Sequence, residues 1–136
     1  MTTHGRLTGA VLLLLLTGAV FLGLFGCGAP QSPGAVVRDF YGLMANGKYE
    51  SASRHLSAEA RMMFTFGMTL AAGLSEFAGE ELGAIPIGRV EITRETIRGD
   101  AAEVSYVLHH ADGSADQETS ETLVKENGRW KIALSF

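Results

Sequence analysis

The apolar residues change their spacing near residue 85, from the intervals of three and four typical of amphipathic helices to the alternation typical of β-strands. Before this point the sequence predicts three helices, at about residues 33–46, 48–56 and 58–82, the first with Ser32 as its N-cap. After it, alternation and turn residues predict four strands. Helices followed by a run of strands indicate an α+β domain, with about three N-terminal helices packed on a curved four-stranded antiparallel meander.

The pairing of the strands follows from which side chains must share a face. The Asn-Gly pair at 127–128 predicts a tight hairpin, and setting Glu126 opposite Arg129 buries Trp130 on the inner face. At residues 99–100 a tight turn would mix the two faces, so we expect a three-residue or bulged turn there. The expected pairs are Leu123 with Ile132, Lys125 with Trp130, Ile92 with Tyr106, and Val90 with Leu108.

The predicted third helix carries a wide band of methionine, phenylalanine and leucine interrupted by three glycines. A helix that is apolar over more than one stripe is buried on several sides or borders a cavity, and methionine adapts to irregular gaps. The band therefore favours core packing, with a ligand-lining wall as the alternative. The glycines favour a kink or break near Gly73, because each one weakens a helix by up to about 1 kcal/mol relative to alanine.

An apolar run precedes the predicted domain. From Leu7 to Gly26 there are 20 residues without a charged side chain, preceded by Arg6, and this pattern predicts a secretory signal. The alternative is a membrane-spanning helix, for which about 20 apolar residues are enough. The glycines of the run and the lack of basic residues directly after Cys27 favour the signal. In either case we expect the rest of the chain to be anchored outside the cytoplasmic membrane.

The end of this run resembles the lipobox of bacterial lipoproteins, with Leu24, Phe25 and Gly26 directly before Cys27. The resemblance implies that Cys27 is lipidated and becomes the new amino terminus after cleavage. The expected organisation is a signal peptide at residues 1–26, a lipidated tether at 27–33 and one domain at 34–136. We expect the protein in the bacterial cell envelope, bound to a membrane by this lipid on the extracytoplasmic side.

The composition of the chain excludes some classes of function. Without residues 1–26 the chain keeps all 15 acidic residues and ten Lys and Arg, a net charge of −5 with neutral histidines. Nucleic-acid binding is not expected, because it needs a clustered basic face and the basic residues are scattered singly along the sequence. Because Cys27 is the only cysteine, no intramolecular disulfide and no thiolate metal cluster can form. We also expect no cofactor.

Four motifs together resemble the small envelope lipoproteins of the nuclear transport factor 2-like superfamily, and most closely the family called domain of unknown function 4878. The resemblance implies a cystatin-like cone, in which a bent sheet wraps a helix and the open end is a pocket used for catalysis or for binding. The motifs are Ser-Pro-x-x-Val-Val-x-x-Phe-Tyr at 32–41, Gly-Lys-Tyr-x-x-Ala at 47–52, Ile-x-Gly-Asp-x-Ala-x-Val at 97–104 and Leu-Val-Lys-Glu-Asn-Gly-x-Trp-Lys-Ile at 123–132.

Catalysis in such a cone would need a buried base of matched pKa. Tyr41, Tyr106 and His110 have inward positions and are weak catalytic candidates, while Glu121 is the one carboxylate with an inward position. The alternative is that both tyrosines pack in the core with bonded hydroxyls. His109 and His110 point to opposite faces of a strand, so no metal site is expected. The pocket-lining candidates are Phe40, Tyr41, Met63, Phe66, Tyr106, Leu108 and His110.

Three functions fit these features. The favoured one is a non-catalytic envelope lipoprotein whose domain binds an apolar small molecule, a lipid or an envelope protein. The second is an isomerase, dehydratase or hydrolase that uses Tyr41, Tyr106 and His110. The third is a structural or assembly accessory of the envelope that forms a homodimer through its sheet face, as the resemblance implies. An open cone with converging polar groups would favour the first two, and a filled cone would favour the third.

Overall fold

The computed structural model describes residues 30–79 and 85–134. The four strands form one curled antiparallel sheet in chain order, and the helices pack on it, which confirms the predicted α+β architecture. The elements are α1 (Pro33–Ala45), α2 (Tyr49–Ser53), α3 (Ala58–Ala78), β1 (Ile87–Arg98), β2 (Ala101–His110), β3 (Thr119–Glu126) and β4 (Arg129–Ile132).

Helix α1 is the helix that the sheet wraps. It begins as predicted, with the Ser32 hydroxyl accepting a hydrogen bond of 3.2 Å from the Ala35 N–H and a proline at the first position. Beyond its C-cap, Gly47 has a φ of 68°, a conformation that favours glycine. Its buried face, including Val36, Val37 and Phe40, lies against β1, β2 and β4.

Residues 55–57, which follow α2, run along the free edge of β4. The Ile132 N–H donates to the His55 carbonyl and the Ser57 N–H donates to the Ile132 carbonyl, each at 2.8 Å. Leu56 and Ile132 form a parallel bridge. This pairing covers a strand edge that would otherwise be open to other chains, and it brings the end of α2 beside β4.

The β3–β4 hairpin has the predicted register. Asn127 and Gly128 have φ angles of 51° and 75°, as a two-residue type I′ turn requires. Leu123 pairs with Ile132 and Lys125 with Trp130. The inner-face residues Trp130 and Ile132 are buried, and the ammonium of Lys125 lies 4.9 Å from the centre of the indole ring.

The β1–β2 pairing confirms the expected partners but not the expected turn. Ile92 pairs with Tyr106, while Arg98 pairs directly with Ala101 across a tight two-residue turn at 99–100. Two register shifts lie instead within β1, one between Ile87 and Arg89 and one between Ile92 and Arg94. The turn can be tight because Gly99 has a φ of 62°, and the bulge inside β1 then returns its apolar residues to the inner face.

The buried apolar residues come from α1, the α2 region, the start of α3 and all four strands. Leu123, Val37, Val104 and Ala52 have no exposed surface, and Tyr106 is 2% exposed. All of these residues lie between Val36 and Ile132.

Helix α3 differs most from the sequence prediction. It runs unbroken through Gly73 and is capped by Gly79 with a φ of 72°, and its predicted last residues, 80–82, lie outside the described part of the chain. Core packing was predicted for its apolar band, but only Ala60 is buried, with Phe64 and Met68 half-buried. The prediction was wrong because α1, rather than α3, covers the sheet. None of the three described helices is both long and apolar enough to cross a membrane.

Candidate functional site

Three polar side chains meet where α1 crosses β2 and β3. The hydroxyl oxygens of Tyr41 and Tyr106 lie 2.5 Å apart, and each hydroxyl also donates to the same carboxylate oxygen of Glu121, at 2.9 Å and 3.1 Å. Tyr106 is buried, and the other two are half-buried. The inward positions predicted for these residues bring them together as one group, which we call the tyrosine–glutamate cluster.

The three side chains of the tyrosine–glutamate cluster hydrogen-bond to one another. Burial is the main cause that raises the pKa of both tyrosines, and the Glu121 charge raises both further. Both hydroxyls therefore stay protonated at neutral pH and act as donors to one another or to the carboxylate. With Glu121 ionised, two hydroxyl protons serve three close oxygen contacts, so the protons available to the cluster are all used within it.

The remaining pocket-lining candidates separate into two groups. Phe40 packs edge-on against Tyr41 with ring centres 5.1 Å apart, and Leu108 packs against the same core. Met63 and Phe66 lie on α3 and are 53% and 67% exposed. Packed rings therefore fill the interior below α1, and clefts elsewhere on the described part of the chain are lined by other side chains.

His110 lies at the end of β2, away from the cluster. Its Nε2 is 2.8 Å from a carboxylate oxygen of Asp116, and this hydrogen bond raises the pKa of His110. The neighbouring His109 points to Glu91 instead, at 2.7 Å. Each histidine therefore has its own carboxylate on a different strand or loop. Within residues 30–79 and 85–134, no three His, Cys, Asp or Glu side chains are placed to hold a metal ion.

A cleft of about 520 Å³ opens between α1, α2 and β4. Its wall combines basic side chains with apolar ones, and we call it the basic cleft. The Lys131 ammonium donates to the Arg54 carbonyl, and the guanidinium of Arg61, just outside the cleft, donates to the Ser53 carbonyl at 3.0 Å and the Arg54 carbonyl at 3.4 Å. Its lining residues are Pro30, Gln31, Val36, Leu43, Ser51, Arg54, His55, Arg129, Trp130 and Lys131.

The side chains that line the basic cleft in the described part of the chain include no carboxylate, and Arg54 forms a 3.1 Å ion pair with Glu50. Burial lowers the pKa of Lys131, and the positive charges of Arg61 and Arg129 lower it further, against the opposing effect of Glu126. Burial also lowers the pKa of His55. Cations held this close repel one another, and an anion placed among them would reduce that repulsion.

Sequence reasoning missed this cleft because its parts are far apart in the chain. Arg54 and His55 follow a short helix, whereas Arg129 and Lys131 flank Trp130 on the last strand. Only the parallel bridge between Leu56 and Ile132 brings them together, and no local pattern predicts a bridge of that kind. The one usable signal was the alternation in β4, which places Arg129 and Lys131 on the same face.

The predicted lipidation site cannot be compared with the fold. Leu24, Phe25, Gly26 and Cys27 lie outside the described residues, which begin at Pro30. The described residues therefore include most of the predicted domain and the end of the predicted tether.

Comparison with known proteins supports the fold. A crystal structure from Campylobacter jejuni, provisionally described as an NTF2-like transpeptidase, is similar to this chain with a TM-score of 0.53 and 16% identity, over 76% of this chain and 98% of that one. A solution structure of a SEC-C motif containing protein from Rhodopseudomonas palustris has a TM-score of 0.51 and 16% identity, over 76% and 78% of the two chains. No protein-family model matches the sequence, and no curated protein is significantly similar to it.

These likenesses define the class of domain. Three helices on a curled four-stranded antiparallel sheet are the architecture of the nuclear transport factor 2-like fold, as the sequence motifs predicted. At 16% identity the likeness concerns the fold alone, and a fold does not determine a function.

Proposed function

We propose that this protein is a bacterial envelope lipoprotein of the domain of unknown function 4878 type, anchored through Cys27 on the extracytoplasmic side of a membrane. Its domain is a non-catalytic binding module for a small amphipathic anion. The anchor is supported by the 20-residue apolar run and by Leu24 and Gly26 before the only cysteine. The ligand class is supported by the basic cleft.

The filled interior below α1 by itself favours the accessory role, so the binding function is supported by the basic cleft, which lies outside the cone. Its volume of about 520 Å³ lies within the range of roughly 300–1,000 Å³ typical of small-ligand pockets. Arg129 and Lys131 offer charged donors to a carboxylate or phosphate, and Arg54 does so beside its 3.1 Å ion pair with Glu50. Pro30 and Leu43, which are not buried, offer apolar surface to the rest of the ligand. Such a ligand has an anionic head and an apolar body, which refines the apolar ligand predicted from the sequence.

The chain contains a single tryptophan, and it lines this cleft, so its fluorescence reports on binding directly. We expect octyl phosphate, kept below its micelle concentration, to change the fluorescence of the full chain saturably, and octanol to have little effect. Arg129→Gln should weaken binding by about 10- to 150-fold, since a hydrogen bond between charged groups contributes about 1.5–3 kcal/mol. Arg94→Gln, which lies on β1 away from the cleft, is the control. Equal responses to octyl phosphate and octanol would exclude an anion site.

The anchor is tested separately in growing bacteria. Wild type should incorporate labelled palmitate, and Cys27→Ser should not, because the lipid needs this sulfur. Phe25→Ala keeps the cysteine and should retain the label. Equal incorporation by wild type and Cys27→Ser would remove the anchor from the proposal while leaving the cleft untouched.

The tyrosine–glutamate cluster favours a second candidate, an enzyme that moves a proton within the cone. Glu121 would be the base and Tyr41, the more accessible tyrosine, the donor. We rank this second because Glu121 already accepts from both tyrosines, which leaves it little capacity for a substrate. Turnover of a carbonyl substrate that is lost in Glu121→Gln but kept in His110→Ala would reverse the ranking.

A further inference from the structure

An exposed apolar stripe runs along α3. Its six large side chains are between 53% and 94% exposed. We propose that this α3 stripe binds a second copy of the chain, so that the protein is a homodimer held by two antiparallel α3 helices. The stripe consists of Met62, Met63, Phe66, Leu70, Leu74 and Phe77.

The spacing of the stripe is that of a helix that packs along another helix. Met63, Phe66, Leu70, Gly73 and Phe77 follow one another at intervals of three, four, three and four. This repeat keeps one seam facing a partner helix over several turns. An added Cβ at Gly73 would meet nothing within 4 Å, so the helix backbone is open to close approach at that point of the seam.

The size of the stripe suits a dimer. If a fully exposed large apolar side chain presents about 200 Å², in the range that aromatic residues bury, the six residues at their exposed fractions present on the order of 800 Å². Stable protein interfaces of standard size bury about 800 Å² on each partner. Monomeric proteins rarely leave a larger contiguous apolar patch than a few hundred Å² exposed.

The polar groups of α3 do not oppose burial. From Met62 to Ser75 the helix has no charged residue. The Thr69 hydroxyl donates to the Thr65 carbonyl and the Ser75 hydroxyl donates to the Ala72 carbonyl, each at 2.9 Å. These hydroxyls therefore keep a hydrogen bond when water is removed, and little polar desolvation opposes the apolar gain.

Charge favours a second copy over a lipid surface as the occupant. Helices that lie on anionic membranes carry several Lys or Arg on their polar face. Among the described residues of α3 the charged ones are Glu59, Arg61 and Glu76, and Arg61 is engaged with carbonyls at the end of α2. A helix with two carboxylates on a chain of net charge −4 is not attracted to such a surface.

The same charges favour an antiparallel pair. Parallel packing would set Glu59 beside Glu59 and Glu76 beside Glu76 of the second copy. Antiparallel packing about Leu70, the midpoint of the stripe, sets Phe66 beside Leu74 and places the like carboxylates of the two copies at opposite ends of the interface. A two-fold axis through Leu70 then gives a closed interface that uses the same patch twice.

The test is disulfide trapping of the full chain in the bacterial envelope, which is oxidising. Leu70→Cys lies on the proposed axis, so it should form a dimer visible on non-reducing gels. Ala72→Cys is also exposed on α3, but it faces α2. We expect at least about tenfold less dimer from Ala72→Cys, because only contacting positions gain the high effective concentration of a specific complex.

Two further variants separate this proposal from the alternatives. Phe66→Glu in the Leu70→Cys background should reduce the trapped dimer by about tenfold, since a carboxylate would enter the interface; because Phe66 is exposed, this change leaves the core intact. Glu103→Cys tests the outer face of the sheet, because Glu103 is exposed between the buried inner-face residues Ala102 and Val104. No dimer from Leu70→Cys, equal trapping at positions 70 and 72, stronger trapping at 103, or trapping of Leu70→Cys to a protein of another mass would each overturn the α3 dimer. So would labelling of Leu70→Cys by a lipid-soluble thiol reagent without any dimer.

Discussion

Removing the carboxylate of the tyrosine–glutamate cluster should destabilise the domain more than removing either hydroxyl. In Tyr106→Phe, Tyr41 keeps its 2.9 Å bond to Glu121, so the loss should be about 0.5–1.5 kcal/mol, the usual contribution of one hydrogen bond. In Glu121→Leu, both hydroxyls lose their shared acceptor. One can still donate to the other across 2.5 Å, but the second is left as a largely buried donor without a partner in the cluster.

The expected cost of Glu121→Leu combines two effects. A lost hydrogen bond to a charged group costs about 1.5–3 kcal/mol and an unsatisfied buried donor costs about 1–3 kcal/mol. Because Tyr41 and Glu121 are half-buried and water can partly replace the lost bonds, we expect a total of about 2–4 kcal/mol. The triple variant Tyr41→Phe, Tyr106→Phe, Glu121→Leu removes every polar partner at once, so it should be more stable than Glu121→Leu alone.

Urea unfolding followed by Trp130 fluorescence measures these differences, because the chain's one tryptophan is buried in the same core. The informative result is the non-additivity of the series. If Glu121→Leu loses less than about 1 kcal/mol, or if the triple variant loses the sum of the single losses, the three side chains do not act as one hydrogen-bonded group.

Three further changes test other parts of the structure. Trp130→Ala should lower the free energy of unfolding by about 3–5 kcal/mol, since it empties a buried aromatic site; a loss below about 1 kcal/mol would contradict the inner position of this residue in β4. Gly67→Ala should stabilise α3 by up to about 1 kcal/mol, because the added methyl group meets nothing within 4 Å. Gly34→Ala should destabilise the domain, because its methyl group would lie 2.7 Å from a carboxylate oxygen on β1. Chemical denaturation compares the free energies of unfolding of the two variants. The bond to Asp116 raises the pKa of His110, so this pair stabilises the fold below the unfolded pKa of about 6.5 and is lost as pH rises through the folded pKa; an NMR titration in which Asp116→Asn leaves the His110 pKa unchanged would disprove the pairing.

The parts of the fold that the sequence predicted are those decided by neighbouring residues. The start of α1 depends on a serine and a proline side by side, and the β3–β4 register depends on Asn127 and Gly128. Both signals act within a few residues, so they hold in any tertiary context that keeps the element. The pairing of Ile92 with Tyr106 was also predictable, because a shift by one residue would turn every apolar side chain outward.

The wrong predictions concern alternative structures that the local sequence does not distinguish. A bulge at the turn and a bulge at Thr93 would each return the apolar residues of β1 to the inner face of the sheet. The left-handed conformation of Gly99 allows a tight turn and therefore favours the bulge at Thr93. The apolar band of α3 predicted burial, but a sequence does not say whether an apolar helix is covered by its own sheet or by another molecule. The inward position of Glu121 was predicted, whereas its contact with Tyr41 depends on how α1 crosses the sheet.

The position of α1 explains why the two proposed binding surfaces lie outside the cone. Phe40 and Tyr41 fill the space that an open cone would offer to a ligand, and Glu121 satisfies the hydroxyls that reach it. Arg61 connects the two proposed surfaces, because it directly precedes the α3 stripe and donates to the carbonyls of Ser53 and Arg54 beside the basic cleft. A second copy that fixes α3 would therefore also fix this contact beside the cleft. If that contact changes the affinity for an anion, anion binding must change the stability of the dimer by the same free energy.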